Sequence, residues 1–268
     1  MQAHTAPGLL LAALCFSLSG ISSGVIAATN DNSPAIALII DDLGNQRGSG
    51  SRAVDLPGPV ACSFFPFGPY TAELARQAHA RDKEVMLHLP MQASGPLQEA
   101  REAGLLTVDM TNRQYRDTFT RELAAVPYVS GFNNHMGSLL TRHPGNMAWL
   151  MQAASEAGKL FFIDSRTTTA TVARQLASEY GIPNSERNVF LDNVASPDAI
   201  RMQFRRLIGI ARRDGTAIAI GHPYPATLDV LTEELQRLDQ LDVRLVPVAE
   251  LIELQKARRE VWQTYSSR

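Results

Sequence analysis

Seven side chains in this 268-residue sequence that could hold a metal or move a proton stand within or just after short apolar runs. Asp41 and Asp42 follow Ala35–Ile40, His88 lies within Met86-Leu87-His88-Leu89-Pro90, and His135 follows Asn133-Asn134. Asp164 ends Phe161-Phe162-Ile163, Asp192 follows Val189-Phe190-Leu191, and His222 sits in Gly221-His222-Pro223-Tyr224. A carboxylate with two imidazoles suits Zn²⁺ or another divalent metal, one ion with a position left for water. Bound water is acidified toward neutrality, a second carboxylate can take its proton, and a histidine across the pocket can protonate a leaving group. The inventory supplies each part: Asp42 with His88 and His135 for the metal, Asp41 as base, His222 as acid.

Each residue also has a plainer explanation. One of the two adjacent acids could cap the next helix while the other is solvated. Neighbours on an extended strand point to opposite sides, so Asp41 and Asp42 are expected to face different surroundings unless the strand end loosens. His88, alone in an apolar run, fits a hydrogen-bonded core residue. Asp192 next to Asn193 fits a turn cap better than a catalytic group, and His79 and His143 read as surface residues. What favours chemistry is recurrence, since acids and histidines return at the ends of successive apolar runs. No compact signature such as H-E-x-x-H names the site, and G-x-G-x-x-G, G-x-S-x-G and Walker sequences are all missing.

The elements that must position these groups alternate in type. Strands are expected at 35–40, 59–65, 84–89, 129–132, 160–163, 188–191, 216–220 and 243–246. Helices are expected at 70–81, 111–126 with Thr111 as cap, 144–158, 169–180, 197–213 behind Ser196, 228–238 and 248–258. Short apolar runs without alternation are strands buried on both faces, as in a parallel sheet. Residues 90–106 form a long loop, a length that is more often functional than idle. Seven or eight strand-then-helix units with no break in composition predict one α/β domain over 29–256 with parallel strands, open or closed into a barrel, and the regular pairing of strand and helix favours a barrel over two separate domains. Parallel strands would bring every one of these strand ends to a single rim.

The first residues differ in kind. Positions 1–30 hold no Asp, Glu, Lys or Arg, Leu9–Phe16 is continuously apolar, and small residues run to Ala27-Ala28. This reads as a secretory signal peptide over 1–28, which predicts a periplasmic protein. The mature chain would keep only Cys62, which cannot form an internal disulfide. The segment 257–268 reads as a polar tail. A net charge of −2 gives no basic patch for nucleic acid.

Five stretches together, I-A-L-I-I-D-D-L-G-N, M-L-H-L-P-M, G-F-N-N-H-M-G-S, F-F-I-D-S-R-T and A-I-A-I-G-H-P-Y, resemble the divergent polysaccharide deacetylase family. The likeness spans about residues 35–254, with its motifs in the family's order. It implies a distorted (β/α) barrel like that of the NodB-type carbohydrate esterases, and hydrolysis of N-acetyl groups on a polysaccharide or peptidoglycan-like glycan. By that likeness Asp41 takes the place of the base, Asp42 that of the metal-binding acid, and His222 that of the histidine assisting the leaving amine. Asn134, Asp164 and Arg166 are the candidate substrate-binding residues. Other members carry both metal histidines in one H-x-x-x-H turn, whereas here Met91-Gln92 follow His88 and Pro90, so His135 is taken as the second. The alternative reading is a catalytically silent barrel that binds glycan or a cell-envelope protein.

Overall fold

Ala35–Leu43 forms the central strand, β1, and its six apolar residues are completely buried on both sides. Ile36, Leu38 and Ile40 face the helical layer, among Val54, Leu74, Phe204 and Leu231. Ala35, Ala37 and Ile39 face the interior of the sheet, against Ala61, Met86, Ile163, Ile218 and Ile220. The computed structural model describes residues 1–3, 33–95 and 103–266. Positions 4–28 of the expected signal peptide therefore lie outside the described residues, as do 96–102 of the long loop.

The remaining strands are β2 (Ala61–Phe64), β3 (Val85–Met91), β4 (Val129–Met136), β5 (Phe161–Asp164), β6 (Asn184–Glu186), β7 (Val189–Phe190), β8 (Thr216–Gly221) and β9 (Arg244–Leu245). They form one sheet in the order β6-β5-β4-β3-β2-β1-β8-β7, with β9 paired to the start of β1. All the pairings are parallel. The helices are α1 (Arg47–Val54), α2 (Thr71–His79), α3 (Asn112–Ala125), α4 (Pro144–Ala157), α5 (Ala173–Glu179), α6 (Pro197–Asp214), α7 (Pro225–Leu235) and α8 (Val248–Ser266). This is the expected distorted (β/α) barrel, left open between β6 and β7.

Two features close that opening. Arg187, between β6 and β7, donates from its backbone to Asp164 O, and Asn188 exchanges hydrogen bonds with Ile218. The start of α8 fills the interior with Val248, Leu251 and Ile252, and Gln255 joins Ser185 of β6 to Thr216 of β8. Glu84 holds the first turn of α8 by accepting from Val248 N and Ala249 N. The helix then continues to Ser266, past its expected end at 258. Thr111 caps α3 in a full capping box with Gln114, and Ser196 caps α6, both as expected.

One buried group in the helical layer has no compensation. Glu122 of α3 is fully buried, neither carboxyl oxygen has a hydrogen-bond partner, and Gly104 packs so closely that a Cβ there would strike Glu122 Oε1. Burial outweighs the nearby charge of Arg121 and pushes the carboxyl up to about 9. The native state then keeps a proton that the unfolded chain releases near its ordinary 4.5. Stability should fall as pH rises from about 4.5 to about 9, by up to roughly 1.4 kcal/mol per pH unit. Glu122→Gln removes this slope. Urea melts at pH 5 and pH 8 should show the variant gaining on the wild type only at the higher pH; equal gaps at both would refute the assignment.

Candidate metal and proton-transfer site

The inner face of the barrel carries apolar side chains low on each strand and polar ones at the carboxyl ends, two residues on. Ile39 leads to Asp41 on β1, Ala61 to Ser63 on β2, and Met86 to His88 on β3. On β4, Gly131 leads to Asn133 and His135, its own lack of a side chain leaving room for the Phe161 ring. Beyond β8, Ile220 leads to His222. The period of two therefore collects Asp41, Ser63, His88, Asn133, His135 and His222 on one side of one rim. β4 runs four residues past its expected end at 132 because it stays in register with β3 as far as Met91 and Met136.

Asp42 has the wrong parity for this face, and the backbone corrects it. Its φ is 60°, and the pairing of β1 with β2 shifts register between Ile40 and Leu43. A left-handed residue costs an L-amino acid roughly 1–2 kcal/mol, least for Asp and Asn. That turn brings both acids to one pocket, although regular strand geometry would have separated them. Asp42 Oδ1 lies 3.1 Å from His88 Nε2 and 3.3 Å from His135 Nδ1, and the two nitrogens are 3.0 Å apart. A tetrahedral ion with bonds of about 2.0–2.1 Å requires ligand atoms about 3.3 Å apart. Among the described residues this is the one cluster of His, Cys, Asp and Glu with metal-binding spacing. Asp42 Oδ1 is also buried without a well-aligned hydrogen bond, as befits an atom turned toward a cation. The donor set fits a divalent metal such as Zn²⁺.

The charges are coupled. Burial alone would raise Asp42, but His135 and His88 outweigh it and hold the carboxylate well below its usual range. Burial alone would lower His88, but Asp41 and Asp42 prevail and raise it to about 9. At neutral pH a metal must therefore displace a proton from His88 to bind its Nε2. Zinc affinity should tighten about tenfold per pH unit from pH 6 to 9, with a matching proton release in calorimetry across buffers of different ionisation enthalpy. A flat profile would show that His88 is already neutral in the free site.

His222 stands opposite, its Nε2 3.9 Å from Asp42 Oδ2. Asp192 serves it from behind: Oδ1 lies 2.9 Å from His222 Nδ1, and Oδ2 accepts from His222 N at 2.6 Å and from Thr227 Oγ1 at 2.8 Å. Asp192 therefore does more than cap a turn. Burial pushes His222 down, but its hydrogen bond to Asp192 and the surrounding carboxylates raise it overall. Phe65 packs edge-on against His88 and His135, and Phe190 and Tyr224 flank His222.

The three candidate substrate contacts lie beside this group. Asn134 accepts from Ser165 N and donates to Met136 O, bracing β4 against the loop after β5. Asp164 accepts from Arg166 N and Thr171 Oγ1, so its carboxylate holds its own loop. Arg166, with φ 50°, pairs with Glu186 at 2.8 Å and is partly exposed. Asn133, unassigned from the sequence, is fully buried between Asp41 and His88. Its position two residues before His135 on one strand was the available signal.

A family profile described as divergent polysaccharide deacetylase matches residues 38–252. The chain is 36% identical over 236 residues to the uncharacterised protein YibQ of Escherichia coli, covering 88% of this chain and 70% of that one. It is 34% identical over 216 residues to an uncharacterised Haemophilus influenzae protein, covering 81% and 76%. An uncharacterised Agrobacterium tumefaciens protein, ATU2773, has a similar crystal structure, with a TM-score of 0.78, 20% identity, and coverage of 82% and 89%. The peptidoglycan deacetylase PdaC of Bacillus subtilis shares the fold at a TM-score of 0.53 and 18% identity, with 89% and 98% covered.

Proposed function

The chain belongs to the divergent polysaccharide deacetylases, and from that membership we propose that it is a periplasmic, metal-dependent hydrolase that removes N-acetyl groups from a cell-envelope glycan. The observation that carries this reading is the triangle of Asp42, His88 and His135, with a buried, unsatisfied carboxylate oxygen in it. When bound there, a divalent ion supplies a Lewis acid that acidifies water and polarises an amide carbonyl.

The rest falls to the chain's own side chains. Asp41 is 2% exposed, sits 3.6 Å from His88 Nδ1, and takes the proton of the attacking water. Asp192 keeps a proton on His222 Nδ1, so Nε2 faces the pocket and delivers its proton to the departing amine. Phe65 and Phe190 shield both histidine edges from water, which strengthens the charges inside. Tyr224, 45% exposed and packed against His222, offers apolar surface for a sugar ring beside it. Export would follow from the segment 1–28.

The test is acetate release from chitooligosaccharides and peptidoglycan fragments by the mature, zinc-loaded protein, with loss of release on chelation. Acetate from either substrate supports the enzyme. Retention of glycan without acetate under zinc, cobalt or manganese would replace it with a binding protein.

A further inference from the structure

Asn133 touches Asp41, Ser63 and His88, yet it has no exposed surface. It is fully buried on β4, and its contacts reach β3, β2 and β1, which follow one another on one side of its strand. Its Nδ2 donates to both oxygens of Asp41, at 2.8 and 3.0 Å. Its Oδ1 accepts from Ser63 Oγ at 2.8 Å and lies 2.8 Å from His88 Nδ1.

The orientation of the amide follows from chemistry. An ionised carboxylate can only accept, so the NH₂ group must face Asp41. The carbonyl oxygen is then left for Ser63 and His88, and it too can only accept. His88 must therefore carry a proton on Nδ1, which reserves Nε2 for the side where Asp42 and His135 lie. Ser63, buried and donating from a third direction, stops the amide from turning over.

We propose that Asn133 is a positioning residue that acts on both halves of the site at once, setting the tautomer of His88 for the metal and aiming Asp41 as the base. The metal half stands on the contacts above; the base half rests on the hydrolase reading. Groups behind a metal ligand are typically worth about 10–100-fold in metal affinity, and misplacing a reacting group by an ångström costs about 10²-fold in rate.

Two variants separate the halves. Asn133→Leu loses the acceptor and the donor, whereas Asn133→Asp keeps the acceptor for His88 and Ser63 but sets a second carboxylate against Asp41, so that the two share one proton or repel and Asp41 is no longer a free, aimed base. Three readouts apply: the ¹⁵N-resolved ring protons of His88, the zinc dissociation constant, and acetate release at saturating zinc. The wild type should show a slowly exchanging Nδ1 proton on His88. Asn133→Leu should lose it, weaken zinc about 10–100-fold, and turn over more slowly even when saturated. Asn133→Asp should keep the Nδ1 proton and the zinc affinity while turnover falls about 10²-fold.

The proposal is overturned by an Asn133→Leu protein with wild-type zinc affinity and an intact Nδ1 proton, or by an Asn133→Asp protein that loses zinc as fully as the leucine variant. If Asn133→Leu does not fold, the split expected of Asn133→Asp decides alone. A wild type that takes zinc but releases no acetate removes the hydrolase reading and, with it, the base half, while zinc and ring protons still decide the metal half. A wild type that takes no zinc removes the hydrolase reading and overturns the metal half.

Discussion

Asp42→Ala is expected to strip the metal and abolish hydrolysis together. Asp42 is the carboxylate of the triangle, and its Oδ1 lies 3.1 and 3.3 Å from the two imidazole nitrogens. Without it two neutral ligands remain, so zinc affinity should fall well beyond the roughly 10–100-fold typical of outer groups, with acetate release at background. The same change meets the backbone, because alanine at φ 60° carries about 1 kcal/mol that aspartate largely avoids. Asp42→Asn tolerates that conformation: it should also lose zinc, and its loss of melting temperature in the presence of chelator then reports the missing pairing with His88 and His135 rather than the backbone. Metal analysis of the purified variants checks this. Full occupancy in both Asp42→Ala and His135→Ala would end the ligand assignment.

Asp41→Asn is expected to do the opposite, keeping zinc within a few-fold while turnover drops about 10²–10⁴-fold. Asp41 does not belong to the triangle; its oxygens face Asn133 Nδ2, and His88 Nδ1 is 3.6 Å away. An amide of the same shape can still accept from Asn133 but cannot take a proton from water. Zinc titration and acetate release on one preparation measure both quantities. Metal loss equal to that of Asp42→Ala would make Asp41 a ligand, and unchanged turnover would remove it from the chemistry. Together the two substitutions separate two adjacent carboxylates that differ chiefly in parity along a strand.

How much of this was legible beforehand depended on whether a residue's role is local. Apolar runs buried on both faces announced β1, β3, β5 and β8, and with them the rim where Asp41, His88 and His222 stand. α1 went unread because R-G-S-G-S-R-A-V has two glycines and little periodicity; burial of Gly50, Ala53 and Val54 holds it in place. β6 went unread because Asn-Ser-Glu becomes a strand only through its pairing with β5. In the site, Asp192 looked like a turn residue because its partner is thirty positions on, at His222. Asn133 stood beside a candidate histidine, but the groups it serves, Asp41 and His88, come from two other strands. Tertiary partners carry such roles, and a linear pattern does not record them. The joint use of Asp41 and Asp42 needed a left-handed residue that strand periodicity does not anticipate.

The place of β1 in the sheet also bears on when the site can exist. β1 is the first strand to be synthesised, but Ala35 to Ile40 pair residue by residue with Thr216 to Gly221, and their other edge begins against β9. The interior beneath the site is filled by α8, which is made after every strand of the sheet. At roughly 5–20 residues per second, a ribosome spends on the order of ten seconds to a minute before those partners emerge. Through that interval β1 has β2 beside Ile39 to Leu43 but lacks its other neighbour, and the triangle with His88 and His135 has an incomplete frame. If residues 1–28 direct export, the polypeptide can thread outward unfolded, and the coordinating cage closes only after α8 arrives. The compartment in which the chain completes its fold would then choose which ion it takes.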